Sequence, residues 1–118
     1  MLISVLIALI ALFHIFVFWV ESIAWRSPGA MRMFKTTPES AAATRVLALN
    51  QGIYNLFLAA GLICSLIVSG STAYEAKIFF LSCVAIAGVV GGLSVSKRIL
   101  FVQALPALIT LALVLFYR

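Results

Sequence analysis

Apolar residues run almost unbroken through four stretches of the chain, about 2–24, 44–69, 74–95 and 99–117, and turn-forming or basic residues gather between them. Each stretch has roughly the 20 residues that a helix needs to cross a hydrocarbon core of about 30 Å. The pattern predicts an all-α fold, a four-transmembrane-helix bundle forming a single domain over 1–118. The first run closes on Trp25 and Arg26, an aromatic and a base of the kind that anchor a helix end at lipid headgroups. The loop that follows, 25–43, is the only long one. It opens with the turn signal Ser27-Pro28-Gly29, and then Met31, Met33 and Phe34 alternate with Arg32 and Lys35, which suits a short segment lying on the membrane surface. Thr37-Pro38-Glu39 reads as a helix start: a hydroxyl cap, proline in the first turn and an acid at the positive end of the dipole. The second helix is therefore expected to begin near Pro38 and continue to about Ser69, roughly 48 Å at 1.5 Å per residue, with its first two turns projecting into water. Gly70-Ser71-Thr72 supplies the next turn, Ser96-Lys97-Arg98 makes a tight connection, and Pro106 falls inside the last run.

Composition makes the lipid reading hard to avoid. Of 118 residues, 65% are hydrophobic and 9% charged, and mean hydropathy is +1.26; a soluble domain of this size cannot bury that much apolar surface against itself. The net charge of +5 does not point to nucleic acid, because the basic residues are scattered, without a basic face or interleaved aromatics. They report topology instead. Arg26, Arg32, Lys35, Arg45, Lys97 and Arg98 fall on one side of the four runs, and only Lys77 and Arg118 on the other. The positive-inside rule then places the loop 25–43 in the cytoplasm and both termini outside, as expected of a multi-pass protein of the bacterial inner (plasma) membrane whose main partner is the bilayer. A cleaved signal peptide fits the first run poorly, since no base precedes it and His14 and Glu21 interrupt it.

Polar side chains in hydrocarbon cost about 2.5–3.5 kcal/mol for a central charge on insertion scales, so each one calls for a reason. The first run holds His14 and Glu21, the second Asn50, Gln51, Tyr54 and Asn55, and the last Gln103. His14 and Glu21 are seven residues apart and project from nearly the same helix face, roughly 10 Å apart along the axis. Gln51 and Asn55 share a face, with Tyr54 on its edge. Counting inward from the cytoplasmic ends puts Glu21, Asn50, Gln51 and Gln103 in the cytoplasmic half and His14 and Asn55 near the midplane. Three helices thus offer polar groups at matching depths, the requirement for one shared interior pocket opening toward the cytosol. The bland alternative is that these side chains only hydrogen-bond neighbouring helices, at about 0.6 kcal/mol each. No metal site is expected, because no second His or Cys lies at ligand spacing from His14, and Cys64 and Cys83 stand alone. No cofactor motif is present either.

Gly88, Gly91 and Gly92, with Ala85 and Ala87, give the third run a small-residue stripe containing a GxxxG, which serves close packing within the bundle or across a homodimer. Pro106 frees the carbonyl of Val102, next to Gln103, and predicts a kink there.

The block Asn50-Gln51-Gly52-Ile53-Tyr54-Asn55, followed by Phe57-Leu58-Ala59-Ala60-Gly61, resembles the signature of domain-of-unknown-function family 1304, small four-span membrane proteins with a distant likeness to DoxX-like proteins. His14, Glu21 and Gln103-Ala104-Leu105-Pro106-Ala107 match as well, so the resemblance covers essentially the whole chain. Ala104 departs from it, standing where glycine is expected after the glutamine. The resemblance implies the four-span fold and no activity.

Three functions compete. The first is a binding module that takes a small amphipathic or lipid-like molecule in a pocket lined by His14, Glu21, Asn50, Gln51, Tyr54, Asn55 and Gln103, its polar head toward Glu21, Asn50, Gln51 and Gln103 and its tail among aliphatic side chains. The second is a membrane-embedded acid/base enzyme of isomerase or epimerase type, with His14 and Glu21 as its catalytic pair; the gap of roughly 10 Å between them is long for one reacting centre. The third is a small proton-coupled transporter that needs to dimerise to form a pathway.

Overall fold

In the computed structural model, which describes Met1–Arg118, the chain is helical apart from short connections. The elements are α1 (Leu2–Ser22), α2 (Pro28–Phe34), α3 (Pro38–Ala43), α4 (Arg45–Ile67), α5 (Gly70–Ser94), a π-helical segment (Leu100–Ala104) and α6 (Leu105–Phe116). Three helices, α1, α4 and α5, are long and apolar enough to cross a membrane, and Leu100–Phe116 forms a shorter apolar one. Their outward faces are apolar: Leu9, Leu12 and Phe16 on α1, Leu47 and Phe57 on α4, and Ile86, Val90 and Leu93 on α5 are all exposed. Helices that are apolar both inside and out are suited to lipid rather than to water.

Contacts divide the chain into two units, Met1–Leu12 with Leu58–Arg118, and Phe13–Phe57, so that the boundary falls within α1 and α4. The first unit has an apolar core of Ile7, Ile10 and Ala11 from α1, Leu62 from α4, Leu81, Val84 and Ala85 from α5, and Ala107 and Val114 from α6. Lipid tails are as apolar as these side chains, so what holds such a core in a membrane is close packing more than expulsion from water. The small-residue stripe supplies that packing inside the chain. A Cβ added at Gly88 would stand 2.6 Å from the backbone nitrogen of Ala104, and one at Gly92 would strike the Leu100 side chain, while Gly91 faces Ile99. The methyl group of Ala104 thus occupies the space that Gly88 leaves, and close approach here depends on glycine from α5.

The expected kink before Pro106 takes a definite form. The N–H of Leu105 bonds the carbonyl of Leu100, five residues back, and closes a π-helical turn immediately before the proline. The extra residue in that turn accommodates a ring that would otherwise collide with the preceding carbonyls.

The second unit is built by its caps. Ser27 accepts from the N–H of Ala30 and starts α2, which ends at Lys35 in a left-handed conformation (φ 54°). Thr37 and Ser40 form a reciprocal capping box, and Pro38 occupies the first turn of α3. The helix expected to run unbroken from Pro38 to Ser69 is interrupted at Thr44 (φ −100°, ψ 7°). The Thr44 hydroxyl donates to the carbonyl of Ser40 at 2.7 Å and accepts from Nε1–H of Trp25 at 3.1 Å. The back-bond alone does not break a helix, since Thr110 makes the same one inside α6; what sets Thr44 apart is its second bond, to Trp25 outside the helix. Trp25, expected at the headgroups, is tied to Thr44 and packs on the Phe34 ring at 5.0 Å. At the far end of α4 the expected turn over 70–72 is also shorter, because Gly70 (φ +69°) takes the left-handed turn position alone and Ser71 and Thr72 are already helical.

Candidate functional site

The second unit contains the polar cluster, and its geometry begins with a glycine. A Cβ on Gly52 of α4 would collide with the Ser22 side chain and stand 2.9 Å from the Ser22 nitrogen and 3.0 Å from the Phe18 carbonyl, both on α1. Helix backbones this close bring short side chains into reach of one another, and the Ser22 hydroxyl fixes the approach by donating to the Leu49 carbonyl at 3.0 Å. One turn along α4 from Gly52, Asn55 meets both His14 and Glu21 of α1.

Asn55 is the bridge. Its amide Nδ2 donates to Oε1 of Glu21 at 2.8 Å and to the main-chain carbonyl of Gln51 at 3.0 Å. The main-chain carbonyl of Gln51 can only accept, so it fixes the orientation of the amide and leaves Oδ1 as an acceptor. That oxygen lies 3.1 Å from Nδ1 of His14, which must therefore carry the proton. The assignment defines the histidine: Nδ1–H is committed to Asn55, and in the neutral ring the lone pair sits on Nε2. His14 is 0% exposed, and its Nε2 has no hydrogen-bond partner. A buried polar atom of this kind is rare, since leaving it unsatisfied costs about 1–3 kcal/mol.

Of the residues singled out in the sequence, His14, Glu21 and Asn55 form one hydrogen-bonded chain, and Gln51 joins it through its carbonyl. The gap between His14 and Glu21 is spanned by a single amide. Asn50 is exposed and donates to the Val46 carbonyl of its own helix at 2.8 Å. Tyr54 is also exposed, its ring 6.4 Å from that of Phe57. Gln103 belongs to the other unit, where it is half-buried in the π-helical segment. Gly52 and Ser22 position the cluster without belonging to the polar set that the sequence pattern singles out. The signal for Gly52 was its place inside the polar block, one turn before Asn55; nothing in the sequence marks Ser22.

Fold and cluster together define a class: an all-α chain of apolar helices, three of them of membrane length, carrying a partly buried, side-chain-linked polar cluster between helix backbones in close contact. The chain belongs to the family described as "Protein of unknown function (DUF1304)", whose profile matches residues 8–115. Comparison with curated proteins and with solved structures gives no match.

Proposed function

We propose that this protein spans the inner membrane four times, with both termini outside, and binds a small amphipathic molecule whose polar head reaches His14. The basic residues flanking α2 and α3 and those in the connection after α5 support that orientation. The fourth span is Leu100–Phe116, about 25 Å long at 1.5 Å per residue, at the short end of what a membrane accepts. The observation that carries the binding reading is the buried, unpartnered Nε2 of a histidine whose other nitrogen is locked by Asn55. An acceptor held in place with no partner among the protein's own groups is complementary to a hydroxyl, amine or acid hydrogen on a ligand. Glu21 completes the head site as an acceptor whose position Asn55 sets.

One observation favours the second reading, an acid/base enzyme. A histidine oriented through Nδ1–H by a neighbouring side chain, with a bare Nε2, has the arrangement of a general base. Asn55 orients and does not relay, because an amide has no proton to spare without changing its bonding. The acid/base reading therefore rests on Nε2 alone and not on transfer between His14 and Glu21.

Native mass spectrometry of the detergent-solubilised protein separates these readings. A ligand carrying a hydrogen-bond donor should be retained by wild type and by His14→Gln, whose amide can still present an acceptor. His14→Leu should lose it by roughly tenfold to a hundredfold, the worth of one buried hydrogen bond. If His14→Leu retains the same molecule at the same level, the binding reading falls. Turnover of that molecule by wild type, abolished in His14→Gln while retention persists, identifies the enzyme.

A further inference from the structure

The unit formed by 1–12 and 58–118 contains a cavity of ≈ 350 Å³ where the ends of four helices meet. Ile3 contributes from the start of α1, Val68 from just past α4, Tyr74 and Lys77 from the first turns of α5, and Val114 from the end of α6, with Arg118 beyond it. Its wall has two cations and no carboxylate side chain. Two like charges facing one hollow repel each other, and an anion set between them offsets that repulsion. The Arg118 guanidinium is held 4.9 Å above the centre of the Tyr74 ring, which fixes the position of one cation, and Lys77 is half-buried. Ser69 and Gly70 also line the cavity, and the Ser69 side chain makes no capping bond to α5, so the partial positive charge of that helix end adds to the same sign. Beside these groups the wall turns apolar, through Ile3, Val68 and Val114.

A hollow that is cationic at one part of its wall and aliphatic at another fits an anion attached to a hydrocarbon chain. We propose that this cavity is a phosphate-binding site whose ligand is the headgroup of an anionic phospholipid, held by Lys77 and Arg118 with its chain along the aliphatic wall. The site is separate from the His14 cluster, and its fate does not depend on that reading.

The test uses the full chain in neutral detergent, titrated with dioctanoyl phosphatidylglycerol, with dioctanoylglycerol, which lacks the phosphate, and with inorganic phosphate. Phosphatidylglycerol should bind roughly tenfold more tightly than dioctanoylglycerol, as a charge-assisted contact requires. Lys77→Gln should weaken it by roughly tenfold and Arg118→Gln by several-fold, while Lys77→Arg retains it. Displacement of the lipid by millimolar inorganic phosphate would show that free phosphate shares the site; lipid binding indifferent to phosphate would assign it to the headgroup with its chain. Equal binding of the two lipids, or wild-type affinity in a folded Lys77→Gln protein, overturns the proposal. Should Lys77→Gln fail to fold, Arg118→Gln beside Lys77→Arg decides it.

Discussion

Both contact units bury polar side chains, and they satisfy them differently. In the unit of 1–12 and 58–118, the two buried hydroxyls turn back on their own helices: Ser65 donates to the Leu62 carbonyl at 2.6 Å and Thr110 to the Pro106 carbonyl at 2.8 Å. Each group takes care of itself within one turn and asks nothing of a neighbouring helix. In the unit of 13–57, His14 is satisfied across helices by Asn55, Asn55 is shared with Glu21, and a ring nitrogen is left over. A hydroxyl that back-bonds is a small packing residue with a harmless polar atom. A histidine that requires a second helix, and even then is half satisfied, is costly unless something else completes it. The contrast separates polar residues that the fold tolerates from those that it is arranged around.

The largest effect should come from attacking the packing of the first unit. Gly88→Leu sets a side chain against the backbone of Ala104, which cannot swing aside as a flexible side chain would. Separation of α5 from the π-helical segment should cost about 3 kcal/mol or more. Thermal unfolding in detergent should show a destabilised or unfolded protein. A Gly88→Leu protein as stable as wild type would mean that the stripe packs elsewhere, for instance between copies of the chain.

Asn55→Leu comes next, because it cuts the second unit at its bridge. The replacement is close in size, but it strands Nδ1–H of His14 and removes a donor from Glu21. The expected loss is about 1–3 kcal/mol in unfolding free energy, together with loss of any ligand held at Nε2. Gly52→Ala should give a related result by a different route, since the added methyl meets the Ser22 backbone and moves the two helices apart without removing a polar group. If Asn55→Leu were neutral, the cross-helix chain would contribute no more than the back-bonded hydroxyls, and the distinction between the units would disappear.

Much of this was legible in the sequence, and the rest was hidden for identifiable reasons. Four apolar runs and their caps follow from local chemistry, so the helices and the starts at Ser27-Pro28 and Thr37-Pro38 were readable. Periodicity placed His14 and Glu21 on one face. Depth counting ranks polar residues by level but not by azimuth, so it could not separate Asn50, which is exposed beside Tyr54 one turn further on, from the helix face that carries Asn55. The interruption at Thr44 depends on Trp25, nineteen residues earlier, and no local signal reports it. Likewise, Gly88 and Pro106 were each recognisable, but the π-helical turn that lets Ala104 settle against Gly88 is a property of the pair of helices.

Trp25→Phe sharpens the comparison at smaller amplitude. It keeps the ring that packs on Phe34 but deletes the donor to Thr44, which is the restraint on the interruption between α3 and α4. The expected cost is about 1 kcal/mol, the worth of one neutral hydrogen bond. Its signature should be local, namely faster amide hydrogen exchange around Thr44 with exchange in α5 unchanged.

Ser65→Ala should have the smallest effect, and it is the control that gives the others meaning. Ser65 is 0% exposed, so burial alone would rank it with His14. Yet its hydroxyl bonds only the Leu62 carbonyl, which remains available to the helical ladder, and deleting donor and hydroxyl together strands nothing. The change should stay within about 0.5 kcal/mol by thermal unfolding in the same detergent. A loss as large as that of Asn55→Leu would show that burial, and not the way a polar group is satisfied, decides what these apolar helices can tolerate, and His14 would then stand no further apart than Ser65 does.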